Sequence, residues 1–386
     1  MKSRAGARSG AAVVSGLVLI AGFLIDPRST VAAYLVAWIT WGAIPIGALG
    51  LFMTSYLVRR RWTEALHPVF VASAGVLPIV ALAFIPVLLL MRDLYPAIAN
   101  ASLLPPFKAR WFVSWFFVLR TVVYFAVWIG LAQWLRRAWR NHEAMVRAAS
   151  VGAIVWTLTV SFAGIDWMEQ LEPDFHSSIY GLLYLSFVLT AATAFVIGAG
   201  LLSMRWIGPS RGYSGLLLSV LLLWCYLHAM QYIVIWSGNI PNEVTWYLVR
   251  SENGWQFVLA ALSFGQFVFP FCAMLSARVR SDPHWLLALC GTTLAMRWLE
   301  SAILILPPLQ GLAVAMTGVM LIAAGLFLGL MLWLVFDMTL ERGRRRGADR
   351  RYLAANSRRS SSPISRASTV TLVDAAASSR RRAASV

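Results

Sequence analysis

Apolar runs of membrane length recur along this chain and constrain its fold more than any motif does. A bilayer core of ~30 Å needs about 20 mostly apolar residues in helix, because no water there satisfies the backbone. Ten such runs occur, at 11–25, 31–58, 67–92, 109–135, 146–168, 178–204, 214–237, 254–277, 284–306 and 312–340. The expected fold is all-α, a polytopic membrane protein with ten transmembrane helices over residues 11–340, preceded by a short terminus at 1–10. The first run is short and closed by Asp26-Pro27-Arg28. Lys2, Arg4 and Arg8 precede it as they would a signal peptide. No small-x-small cleavage site follows at once, so it reads as an uncleaved span. Composition agrees: 59% of residues are hydrophobic and 13% charged, against roughly 45–50% and about 25% in soluble domains. A soluble enzyme is excluded.

The loops set the orientation. With the N-terminus in the cytoplasm, that side receives Lys2, Arg4, Arg8, Arg59-Arg60-Arg61, Arg136, Arg137, Arg140, Arg147, Arg205, Arg211, Arg278 and Arg280. The other side receives Arg28, Arg92, Lys108, Arg110 and Arg250. The positive-inside rule then puts both termini in the cytoplasm, as an even span number allows. The net charge of +17 is thus topological, and nucleic acid is not an expected partner. Residues 341–386 are Arg/Ser/Ala-rich, cannot bury a core, and are expected to form a disordered basic cytoplasmic tail. Arg342 to Arg351 suit anionic membrane lipids. Gly318, Gly325 and Gly329 on the last run offer a face for close helix contact, within the bundle or with a partner.

Ionisable groups inside a span cost at least ~2.5–3.5 kcal/mol at mid-bilayer and are candidates for function. Arg120 lies eleven residues into the fourth run, roughly 16 Å from its outer end at ~1.5 Å per residue. Asp166 and Glu169 stand where the fifth run meets the outer surface. His228 is about 12 Å from the outer end of the seventh run, with Gln231 three residues on along the same face. Arg297 and Glu300 share a face of the ninth run, Glu300 ~9 Å from its outer boundary. All seven belong to the outer half of the membrane. On neighbouring helices they would form one polar pocket open to the outside. The plainer alternative pairs Arg297 with Glu300 and Arg120 with Asp166 as structural ion pairs.

His228 is the one histidine deep in a run; His67, His142 and His284 lie at the cytoplasmic edge and His176 at the outer edge. A bis-histidine haem is therefore not expected. The three cysteines form no CxxC pair, which argues against iron–sulfur and thiolate–metal sites. No cofactor bound covalently or by metal ligation is expected.

Several segments resemble one family. Asp166-Trp167-Met168-Glu169-Gln170-Leu171-Glu172-Pro173 with Ser178-Ile179-Tyr180-Gly181 resembles its DWxxSLEP…STIYG segment. Ile235-Trp236-Ser237-Gly238-Asn239-Ile240-Pro241, with Glu243 and Trp246-Tyr247, resembles its IWYGNIPEE…WY segment. Arg92-Asp93-Leu94-Tyr95-Pro96 and Leu119-Arg120 with Tyr124, Phe125 and Trp128 also fit. The family is the F-type membrane subunit of alternative complex III, a bacterial quinol:cytochrome c oxidoreductase, within the NrfD-like polysulfide-reductase membrane subunits. The resemblance covers roughly residues 31–340. It implies an eight-helix core of two four-helix bundles. It also implies assembly with a sister NrfD-like membrane subunit, an iron–sulfur subunit and c-type cytochrome subunits. Glu169-Gln170 departs from a Met-Ser-like pair, and Glu300 stands where an aspartate is expected. Tyr56-Leu57-Val58 and the following arginines replace a histidine-containing stretch.

Two chemical roles then suit the polar residues. For quinone binding, His228, Gln231 and Arg297 would donate to a ring carbonyl while Glu300 or Asp166 accepted a proton. For proton conduction, Glu300, His228 and Asp166 would relay protons through water. A purely structural assembly subunit needs neither. A secondary transporter is the alternative from another class, though no internal repeat or matched pair of broken helices supports it.

Overall fold

The computed structural model describes residues 2–58, 60–100, 106–203, 210–309 and 311–360, with side chains outside 2–7, 60–63, 107–108 and 344–360. The side chains of Lys2, Arg4, Arg59, Arg60, Arg61, Lys108 and Arg205, and the tail from Arg344, lie outside the described residues. Among the described residues there are no strands. Ten helices are long and apolar enough to cross a membrane, close to the runs read from sequence. They are α1 (Lys2–Ile25), α2 (Pro27–Val58), α3 (Arg60–Leu82), α4 (Ser114–Ala138), α5 (His142–Trp167), α6 (Tyr180–Ser203), α7 (Ser210–Gly238), α8 (Trp255–Leu275), α9 (Pro283–Ile305) and α10 (Val314–Ser360).

The helix ends have local causes. Asp26 Oδ1 accepts from the Ser29 amide (3.0 Å) at the start of α2, and hydrogen bonds from Ser29 hold its carboxyl below the usual carboxylate value. Asn141 caps α5 through Ala144 N (3.1 Å), and Asp282 caps α9 through His284 N (2.8 Å) ahead of Pro283. In α8 a π-helical turn at Phe264–Val268 stands just before Pro270, which has no N–H to give.

The packing closes two rings of four. α2 packs on α3, α3 on α4, α4 on α5, and α5 back on α2. α6 packs on α7, α7 on α8, α8 on α9, and α9 back on α6. The two four-helix bundles meet along α2 and α6, with α9 also touching α2 and α5 touching α6. The seam is tight because Gly47 has no side chain: a Cβ there would overlap the Val188 carbonyl oxygen of α6. Outside the rings, α1 packs on α2, and α10 packs on α2 and α6 through Trp41 Nε1 to Gly325 O (3.1 Å) and Phe195 against Phe336 (5.1 Å). The small face of α10 serves this packing. A Cβ on Gly325 would press on Trp298 and one on Gly329 would come 2.7 Å from Trp41, whereas Gly318 faces open space.

The chain divides into Met1–Asp337 and Met338–Val386. The second unit is helical through Ser360, where disorder was expected from 341. Its Ala, Leu and Arg content favours helix, and the first proline after the span is Pro363. Residues 361–386 lie outside the described residues.

Aromatic rings fill the first bundle: Trp167 sits edge-on to Trp38 (5.1 Å) and Trp128 (5.8 Å) and stacks on Phe125 (5.7 Å). Helix α3 ends just before a break at Ala83 and Phe84, and α2 satisfies its carbonyls there: Trp38 Nε1 donates to Val80 O (3.0 Å) and Tyr34 Oη to Ala83 O (2.7 Å). Successive spans alternate in direction, so Arg136, Arg137, Arg147, Arg211, Arg278 and Arg280 gather at one end of the bundles and Arg250 with Glu169 at the other.

Candidate functional site

The ninth span brings a charge pair into the second bundle through its three-residue spacing. Arg297 and Glu300 are fully buried on the inner face of α9, and Arg297 Nη1 pairs with Glu300 Oε2. The guanidinium lies between the rings of Phe187 on α6 and Trp224 on α7, 5.1 Å from each centroid. Its Nε and Nη2 have no hydrogen-bond partner.

Helix α7 supplies the other half. Trp224 Nε1 donates to Glu300 Oε1 (2.9 Å), and His228 Nε2 stands 3.3 Å from the same oxygen. One turn back along α7, His228 Nδ1 meets Trp224 O at 3.1 Å. A carbonyl only accepts, so Nδ1 carries a hydrogen. The facing Nε2 and Oε1 then need one further proton between them, held by the imidazole or by the carboxyl. The contact joins a buried carboxylate to an imidazole whose side chain is 31% exposed.

Space adjoins this pair. A cavity of about 20 Å³ open to water centres touches His228, Gln231, Glu300, Tyr180, Tyr184 and Trp246. That is room for about one water and not for a quinone ring. Gln231 is buried, its Nε2 without a partner, and it forms part of the wall of a second, larger cleft of about 670 Å³. Glu169 and Glu243 also line that cleft. Glu169 Oε1 accepts from Ser177 N (3.0 Å), while Oε2 is buried without a partner. The cleft has the volume of a small-molecule site.

Of the seven residues read from sequence, His228, Gln231, Arg297 and Glu300 come together, and Glu169 joins them through the cleft that Gln231 shares. Arg120 and Asp166 do not. They sit in the first bundle on α4 and α5, which pack on each other, so the expected single pocket is two clusters. Arg120 Nε and Nη2 donate to Asp166 Oδ2 (2.7 Å) and Oδ1 (2.9 Å), and Tyr124 Oη donates to Oδ2 (2.7 Å). Arg120 Nη1 donates to Trp111 O (2.8 Å), and its guanidinium stacks over Trp111 at 4.4 Å. Every oxygen of this carboxylate is engaged, as in an ion pair that locks two helices. Arg120 is also nearer the helix end than expected. α4 begins at Ser114, and residues 106–111 form a separate short helix.

Sequence reasoning missed two contributors. Trp224 lies four residues before His228, a spacing that puts both on one face. Arg250 had been read only as an outer-side charge. It is fully buried and donates to Ile303 O (2.9 Å), Leu304 O (3.0 Å), Trp246 O (2.9 Å) and Glu172 Oε1 (2.6 Å). Its guanidinium lies 3.8 Å from the Trp246 centroid, and Trp246 stacks on Phe175 at 5.4 Å. This clasp ties the short helix Pro241–Val249 over the end of α9 and fixes Trp246 as a wall of the small cavity. Among the described residues, no group of three or more His, Cys, Asp or Glu is placed to hold a metal ion. No protein-family model matches the chain, and no curated protein matches it.

Proposed function

We propose that this chain is an F-type, NrfD-like membrane subunit of a quinol:cytochrome c oxidoreductase resembling alternative complex III, and that it serves proton exchange. The reading places it in a bacterial inner membrane with both termini cytoplasmic. Its partners are a sister membrane subunit, an iron–sulfur subunit and c-type cytochrome subunits. The observation that carries the role is the 3.3 Å approach of His228 Nε2 to Glu300 Oε1 beside a water-sized cavity. Arg297 anchors one carboxylate oxygen, so exchange is confined to the other. Trp224 donates to that oxygen and orients it, and a water in the cavity would take the proton from His228 towards Gln231 and the outer cleft. The cavity at Glu300 does not admit a quinone ring, and this reading leaves quinol oxidation to the sister subunit.

A second reading has support in the two fully bonded clasps, Arg120–Asp166–Tyr124 and Arg250–Glu172: a scaffold whose charges only join helices. The test purifies a tagged full chain from native membranes. Haem c and iron–sulfur subunits should accompany it. In the assembled complex, Glu300→Gln should lower proton release per electron, or turnover itself. Full turnover and coupling in that variant leave only the scaffold, and a chain purified alone overturns the respiratory assignment.

A further inference from the structure

The large cleft beside α7 brings two glutamates, Glu169 and Glu243, to one wall-lined space. It is lined by Glu169, Glu243, Gln231 and His176, with apolar walls from Ile179, Val234 and Ile235, and among the described residues no lysine or arginine lines it. Glu169 is 8% exposed, and its Oε2 is enclosed without any donor. Leaving a buried carboxylate oxygen unmatched is costly, more so than leaving a neutral acceptor. Gln231 is 3% exposed with an unpartnered amide nitrogen, a second buried polar group on the same wall. Its amide can present a carbonyl acceptor as readily as an N–H donor.

We infer that this cleft binds an organic monocation, a guanidinium or primary ammonium on a short apolar stem. The head group donates to Glu169 Oε2 and to the Gln231 carbonyl, Glu243 adds charge from the opposite lip, and the stem lies against the isoleucine and valine wall. A hydroxyl ligand would satisfy the same oxygen, yet it would bring no positive charge to the two carboxylates. The site does not depend on the respiratory assignment, because it is argued from the cleft alone.

Equilibrium dialysis of the purified full chain with radiolabelled butylguanidinium tests it, with neutral butylurea as the matched control. Saturable binding near one per chain is expected for the guanidinium and not for the urea. Glu169→Gln should weaken it by about tenfold or more, and Glu243→Gln by about threefold. Glu243 starts a half-exposed surface helix, so its variant reports even where Glu169→Gln fails to accumulate. Equal binding of the urea, unchanged affinity in the variants, or no saturable binding overturns the inference. The same measurement on native membranes separates two sources of the cation. A site already filled there belongs to a basic side chain of a partner, and an open one to a free organic cation.

Discussion

Glu300 and Asp166 are both buried carboxylates bonded to an arginine, and their neighbours give them different roles. Asp166 accepts from Arg120 on both oxygens and from Tyr124 on one. Glu300 faces a histidine with one proton to share. Asp166→Ala should lower stability by about 3–5 kcal/mol, because it strands a buried guanidinium. Replacing both partners, as in Arg120→Met with Asp166→Leu, should recover most of that loss and leave proton coupling intact. Thermal unfolding in detergent measures the first and proton release the second. The matching double change Arg297→Met with Glu300→Leu should also fold, since it removes both charges together, but should abolish the exchange. Recovery of coupling in that protein would show that the pair has no chemical role.

At the scale of helices, contacts are set where side chains are missing. Gly329→Val should disturb α10, whose backbone lies against Trp41, and lower the unfolding temperature by several degrees. Gly318→Ala meets nothing within 4 Å and should be neutral, within about 0.5 kcal/mol. If both behave alike in thermal unfolding, the assignment of this face to internal packing is wrong. Span existence was legible from hydropathy, because the requirement for about 20 apolar residues is unforgiving. Span starts were less so. The run at 109–135 takes residues 109–111 into the fourth span, yet the chain turns after Trp111 and restarts at Ser114, which sets Arg120 too deep. The π turn in α8 was invisible, since one extra residue per turn changes no composition.

At the scale of the molecule, the sequence named His228, Gln231, Arg297 and Glu300 but not Trp224 or Arg250, and it could not say which helices adjoin. Depth along a span is one coordinate. The ring order that puts α4 beside α5, and α7 across the second ring from α9, is another, and only packing supplies it. That order moved Arg120 and Asp166 away from the remaining five. Orientation is testable independently: alkaline phosphatase fused after Ser177 should be active in a bacterial host and inactive when fused after Asn141. The reverse pattern would invert the topology and turn the proposed proton outlet towards the cytoplasm.

The meeting of backbone with backbone at Gly47 and Val188 bears on how anything could move through this protein. Carriers that swing one half against the other need a hinge or a greased surface between the halves. Here the halves are keyed together without a side chain to roll on, so traffic would have to run inside one ring of helices while both rings stand still.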